Sequence, residues 1–212
     1  MRRDDPPFRV AILDLGSGDF SALTAALEAA GATVSHTSDR DSVMTANGLI
    51  VVGEGDASAS MARLRELRGD ELIERRVSGG RPVWGVGNGM HILFDAIEQD
   101  GVTTEGLGQW PGAVRDGLLS PTPEWVAVDT TADSMLFAGV GGERFLVDSA
   151  MAATEWTLEV YGAFQPPVVT WATHGQRFVA AVENGPLWAT QFHPERSGDA
   201  GARLLRNWLG TL

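Results

Sequence analysis

The sequence predicts an α/β fold built on one mixed sheet, parallel in its N-terminal half and partly antiparallel in its C-terminal half. Three observations lead there. Short apolar runs closed by glycine recur through the first half, and helical patterns separate them. That alternation makes the strands parallel, because a parallel connection needs a crossover segment. Beyond Pro121 the apolar runs follow one another across short turns, as antiparallel neighbours do.

Residues 10–15 form an apolar run into Gly16-Ser17-Gly18, a buried strand feeding a turn. Asp19 is placed to cap a helix over 20–30, with Leu23, Leu27 and Ala30 on one face and Gly31 as its stop. Residues 49–52 are a second buried strand. Residues 57–78 read as helix with a break near Gly69-Asp70. A third strand over 82–86 is followed by a third helix over 89–98. In the second half, 125–128, 145–147, 168–172, 178–182 and 187–191 read as strands. Turns such as Thr173-His174-Gly175 and Glu183-Asn184-Gly185-Pro186 join the later ones. A closing helix over 199–209 turns Leu204, Leu205, Trp208 and Leu209 inward. There is no repeat, low-complexity stretch or linker, so residues 1–212 are expected to form a single domain.

The length supports a core without covalent staples. Zero cysteine excludes a disulfide framework, a thiolate metal site and any cysteine nucleophile. A net charge of -12 argues against a nucleic-acid partner, since no excess of Lys and Arg is available to displace counterions. Residues 1–8 carry two arginines but no apolar segment of a secretory signal. No apolar run approaches the roughly 20 residues of a membrane span, so a cytoplasmic protein with no membrane partner is expected. No Gly-x-x-x-x-Gly-Lys-Ser/Thr is present, and the first turn lacks the third glycine of a dinucleotide fingerprint. No cofactor and no resident metal are expected.

In a doubly wound sheet, ligands bind beyond the carboxyl ends of the strands. Three glycine-rich strand ends lie there: Gly16-Ser17-Gly18, Gly53-Glu54-Gly55 and Gly85-Val86-Gly87-Asn88-Gly89. Each reads either as a tight turn or as backbone that approaches a ligand. Phe192-His193-Pro194-Glu195 is the other candidate. A glutamate two residues from a histidine, just past a strand, can orient the imidazole and stabilise its protonated form. Taken alone, the pair also reads as a solvated turn.

Together these segments resemble the class I (triad) glutamine amidotransferases, and within them the glutaminase subunits of imidazole glycerol phosphate synthase, of histidine biosynthesis. The likeness runs nearly end to end. It is carried by Leu13-Asp14-Leu15-Gly16-Ser17-Gly18, by Arg81-Pro82-Val83-Trp84-Gly85-Val86, and by Thr104-Glu105-Gly106-Leu107-Gly108-Gln109-Trp110-Pro111-Gly112. Its best stretch is Phe178 to Pro186, then Ala189-Thr190-Gln191-Phe192-His193-Pro194-Glu195. The resemblance implies a flavodoxin-like three-layer sandwich. It also implies acyl transfer: a cysteine thiolate attacks the glutamine carboxamide, a histidine shuttles the proton, a glutamate orients the histidine, and ammonia passes to a (β/α)8 cyclase partner. His193 and Glu195 take the base and orienter positions.

The departures fall on the pocket. The family's Gly-Ile-Cys-x-Gly-Met-Gln appears as Gly85-Val86-Gly87-Asn88-Gly89-Met90-His91, with glycine at the nucleophile position and Asn88 and His91 facing the substrate pocket. The family's Pro-Gly-Val-Gly, the oxyanion strand, appears as Val52-Gly53-Glu54-Gly55, which sets a carboxylate where negative charge would develop. Its substrate-holding His-Ser-Tyr appears as Asp148-Ser149-Ala150, and its interface segment Pro-His-Met-Gly-Trp-Asn as Pro121-Thr122-Pro123-Glu124-Trp125-Val126. Two functions remain open. One is a scaffold or regulatory subunit that does not hydrolyse glutamine, docked on a cyclase barrel or on an active glutaminase paralogue. The other is an enzyme of different acid–base or metal-dependent chemistry, with His91, His193, Glu195, Glu54 and Asp148 converging on one cleft.

Overall fold

A computed structural model describes residues 8–16, 18–158 and 165–212. Residues 1–7, read above for targeting, and Ser17 of the first glycine turn lie outside the described residues.

The chain begins β1 (Phe8–Asp14), α1 (Ser21–Ala29), β2 (Ala32–His36), α2 (Arg40–Thr45), β3 (Gly48–Gly53), α3 (Ala57–Glu66), α4 (Gly69–Ser78), β4 (Val83–Gly87) and α5 (Asn88–His91). It continues β5 (Phe94–Gln99), β6 (Val102–Glu105), β7 (Trp110–Arg115), β8 (Glu124–Asp129), β9 (Arg144–Val147), β10 (Val168–His174), β11 (Gln176–Asn184), β12 (Leu187–Thr190) and α6 (Gly198–Leu209). Among the described residues, nine strands form one sheet in the order β2-β1-β3-β4-β12-β11-β10-β8-β9. The pairs from β2 to β12 are parallel, and those from β12 to β9 antiparallel. The predicted mixed sheet is therefore the observed one.

Side chains alternate across a strand, and here the alternation sorts the core into two layers. Val10, Ile12, Ile50, Val52, Trp84 and Val86 pack with Leu23 and Leu27 of α1 and Leu204, Leu205 and Trp208 of α6. Ala11, Leu13, Leu49 and Val51 pack on the other face with Met61 and Leu64 of α3 and Leu72 and Ile73 of α4. This is the three-layer sandwich. α4 also buries Arg76 completely, and its guanidinium donates to the carbonyl oxygens of Val43, Ala46, Asn47 and Pro82. A buried charge on four carbonyls ties α2, β3 and β4 together.

The expected break in the long helix falls at Leu67 and Arg68, where Arg68 takes a left-handed φ of 53°. The expected helix over 89–98 is corrected to one turn, α5, followed by β5. Segment 106–110 donates its N–H groups to the carbonyls of Ile92, Leu93, Phe94 and Asp95, which a continuing helix would have used internally. β5 instead pairs with β6 and β7 in a second, three-stranded sheet. Asp19 is not the cap expected for α1: it accepts from Ser21 N at 2.9 Å, and Phe20 stands at the cap position without a side-chain bond. The edge strand β2 and the six-residue α2, capped by Asp39, were not expected from the pattern. β6 and β7 were likewise not expected, while β1, β3, β4, β8 to β12 and α6 lie within a few residues of where the sequence put them.

Candidate active site

The topology decides which residues meet. β12, from the end of the chain, inserts in parallel beside β4, with Thr190 opposite Val86, while Gly53 of β3 lies opposite Gly87. The carboxyl ends of β3, β4 and β12 therefore stand side by side, and a ligand cleft is expected beyond them. A cavity of about 310 Å³ opens there, lined by Gly53, Glu54, Gly55, Gly87, Asn88 and His91 on one side. Asp148, Ser149, Gln191, His193 and Arg196 line the other. The expected residues Gly53, Glu54, Gly55, Gly87, Asn88, His91, Asp148, Ser149 and His193 border this cavity, Glu195 stands behind His193, and Gly16 and Gly18 of the first glycine turn are not part of its lining.

Gly87 joins β4 to α5 with φ 58° and ψ -121°, backbone that a side chain resists. A carbon added at Gly87 would lie 2.7 Å from His193 Nε2 and 3.1 Å from the Gly53 carbonyl oxygen. The imidazole thus stands against the space a side chain at 87 would fill. His193 Nδ1 donates to Glu195 Oε1 at 2.9 Å, and both side chains are nearly fully buried. Donation from Nδ1 leaves Nε2 as the ring atom that faces the cleft.

Glu54 is not an isolated negative charge. Its Oε1 accepts from Arg196 Nη2 and lies 3.6 Å from His193 Nε2, while Arg196 Nη1 donates to Asp148 Oδ2 at 2.6 Å. Burial opposes the charge on Arg196, but Glu54, Asp148 and Glu195 outweigh it and hold the guanidinium more firmly protonated than usual. The sequence reading missed Arg196 and Gln191.

His91 borders the same cavity as Glu54, Asp148 and His193, but neighbouring amide groups hold its ring. His91 is 1% exposed, its Nδ1 is 3.1 Å from Asn88 Oδ1 and its Nε2 is 3.0 Å from Gln191 Oε1. Asn88 Nδ2 donates to Gly55 O and Ser60 Oγ, and Gln191 Nε2 donates to Met151 O, so both amide oxygens are turned to the ring. Burial, with a smaller push from His193, lowers the His91 pKa to about 4. Among the described residues, no group of three His, Asp or Glu side chains is arranged to hold a metal ion. Nor is any helix among them long and apolar enough to cross a membrane.

Comparison with solved structures places this architecture among the class I glutamine amidotransferases. The PurLQS structure from Thermotoga maritima aligns with TM-score 0.70 over 97% of this chain and 98% of that one, at 20% identity. A solved glutamine amidotransferase aligns with TM-score 0.67 over 95% of this chain and 97% of that one, also at 20% identity. Those likenesses are of fold. Sequence takes the assignment further: the chain belongs to the HisH family, the HisH subunits of imidazole glycerol phosphate synthase. The subunit from Leifsonia xyli is 53% identical over 205 residues, covering 96% of this chain and 98% of its own. Those from Streptomyces avermitilis and Nocardia farcinica are 49% and 50% identical, over 96% of this chain and 97% and 98% of their own. No protein-family model matches the chain.

Proposed function

We propose that this chain is a HisH-family subunit that does not hydrolyse glutamine, and that it serves a (β/α)8 cyclase, or an active glutaminase paralogue, as a scaffold or regulatory subunit. The observation that carries the reading is Gly87. It holds the strand-to-helix turn where the resemblance puts the thiol, and His193 Nε2 already stands within 2.7 Å of where a side chain would begin. Removing the nucleophile from a comparable triad costs about 10⁶ in kcat. The scaffold supports a retained fold: both core layers and the segment 106–110 are in place around the altered cleft.

Glutamate release from glutamine, followed with and without the cyclase from the same source, tests the catalytic half. No turnover is expected, and Gly87→Cys alone should not create any, because the new Cβ displaces His193. Turnover by the parent chain, or full recovery in Gly87→Cys, would sink the reading. Calorimetric titration against the cyclase tests the other half; micromolar binding is expected, and no binding with or without glutamine would detach the chain from that complex.

A second reading, an enzyme of different acid–base chemistry, is favoured by the intact His193–Glu195 bond. Hydrolysis of small esters or amides that disappears in His193→Ala would support it.

A further inference from the structure

Three strand ends meet at the mouth of the cleft. Glu54 follows β3, Asp148 follows β9, and Arg196 sits in the 3-10 turn Pro194–Arg196 after β12. Arg196 reaches both carboxylates at once, Asp148 through Nη1 and Glu54 through Nη2. The Glu54 oxygen that accepts from Arg196 is the one that lies 3.6 Å from His193 Nε2. His193 borders a cavity of about 310 Å³, yet only 4% of its side chain is exposed. The imidazole is covered on its cleft side by the Glu54 carboxylate. A carboxylate that is itself 30% exposed gains hydration by turning outward. A planar guanidinium with two donor edges is suited to hold it in place.

We propose that Glu54, Arg196 and Asp148 form a strap that shuts the cleft over His193, in which Arg196 occupies a ready-made guanidinium site. Losing the Arg196 guanidinium weakens the hold on Glu54 over Nε2 and raises access to Nε2 from the cavity. Removing the arginine side chain leaves two carboxylates converging on a space of guanidinium size, a receptor for a small planar cation. Access to His193 is independent of whether the chain docks on a cyclase or turns over glutamine, so either half of the functional reading can fail without touching the strap.

Diethyl pyrocarbonate acylates accessible neutral imidazoles, and peptide mapping by mass spectrometry reads each of the four histidines separately. Exposed His36 and buried His91 bracket the scale within each sample. His193 should react slowly in the parent protein. Arg196→Ala should raise its rate about two- to thirty-fold, the range for losing two partly exposed ion pairs. Glu54→Gln, which keeps the side chain's shape, should raise it as well. Millimolar methylguanidinium should restore protection of His193 in Arg196→Ala, whereas N-methylurea, neutral and of the same shape, should not. Equal His193 rates in parent and both variants would overturn the strap. So would a rise matched at His91, which marks general loosening, and protection by N-methylurea would overturn the guanidinium site. Should Arg196→Ala fail to fold, Glu54→Gln and a salt series on the parent carry the test. Screening of the pairs makes the His193 rate climb with salt, and a flat response would overturn the strap.

Discussion

A neutral imidazole has one N–H to donate, and His91 faces two amide oxygens. Only one of the two contacts is a hydrogen bond, because backbone carbonyls at Gly55 and Met151 keep both amides from turning. Burial holds the folded ring neutral down to a pKa of about 4, against 6.5 for an unburied histidine. Between those values the unfolded chain takes up a proton that the folded chain refuses. The contribution of His91 is therefore complete above pH 6.5 and is lost as pH falls toward 4, by about 3 kcal/mol for this group. Urea unfolding followed from pH 7 to 4 should show this slope in the parent and a shallower one in His91→Gln. Parallel slopes would mean that another group is responsible. The candidate site was largely legible at this scale, since motif residues far apart in the chain border one cavity. Arg196 was not legible: its partners lie 142 and 48 positions away, and no local pattern announces such pairs.

Elements that alternate between a buried and an exposed face were the easiest to read. α6 carries Leu204, Leu205, Trp208 and Leu209 on one side and exposed Arg206 on another, and its sequence period declares it. The turn from α5 into β5 had no such guide. Every residue from 83 to 94 is buried, so hydrophobic spacing could not separate helix from strand. The decision was made by residues further along the chain. Gly106 lies so close that a side-chain carbon there would stand 2.1 Å from the Phe94 carbonyl oxygen. Gly106→Ala should therefore push segment 106–110 off the carbonyls of 92–94, at a cost of about 1–3 kcal/mol. Chemical denaturation reads the loss, and hydrogen exchange should show it concentrated in β5 and β7. An alanine variant as stable as the parent would remove the close approach as the reason for the switch. β2 and α2 escaped notice because they are short and mostly exposed.

Across the whole molecule, the last helix fastens the site-bearing strands from beneath. Trp208 of α6 packs on Trp84 of β4, ring centroids 5.4 Å apart, and Trp84 Nε1 donates to Thr190 Oγ1 of β12 at 3.3 Å. Trp208→Ala should cost about 3–5 kcal/mol and lower Tm accordingly. A loss below about 1 kcal/mol would show that the layer closes over the gap with ease. The order of the strands has a consequence for how the protein is made. β4 ends at Gly87 and its neighbour β12 begins at Leu187, 187 − 87 = 100 residues later. Translation at about 5–20 residues per second puts about 5–20 s between them. Throughout that interval β4 leaves the ribosome with one flank unpaired, an open apolar edge of the kind that recruits foreign strands. The imidazole arm follows β12 in the chain, so the nascent protein spends those seconds with the centre of its sheet unfinished.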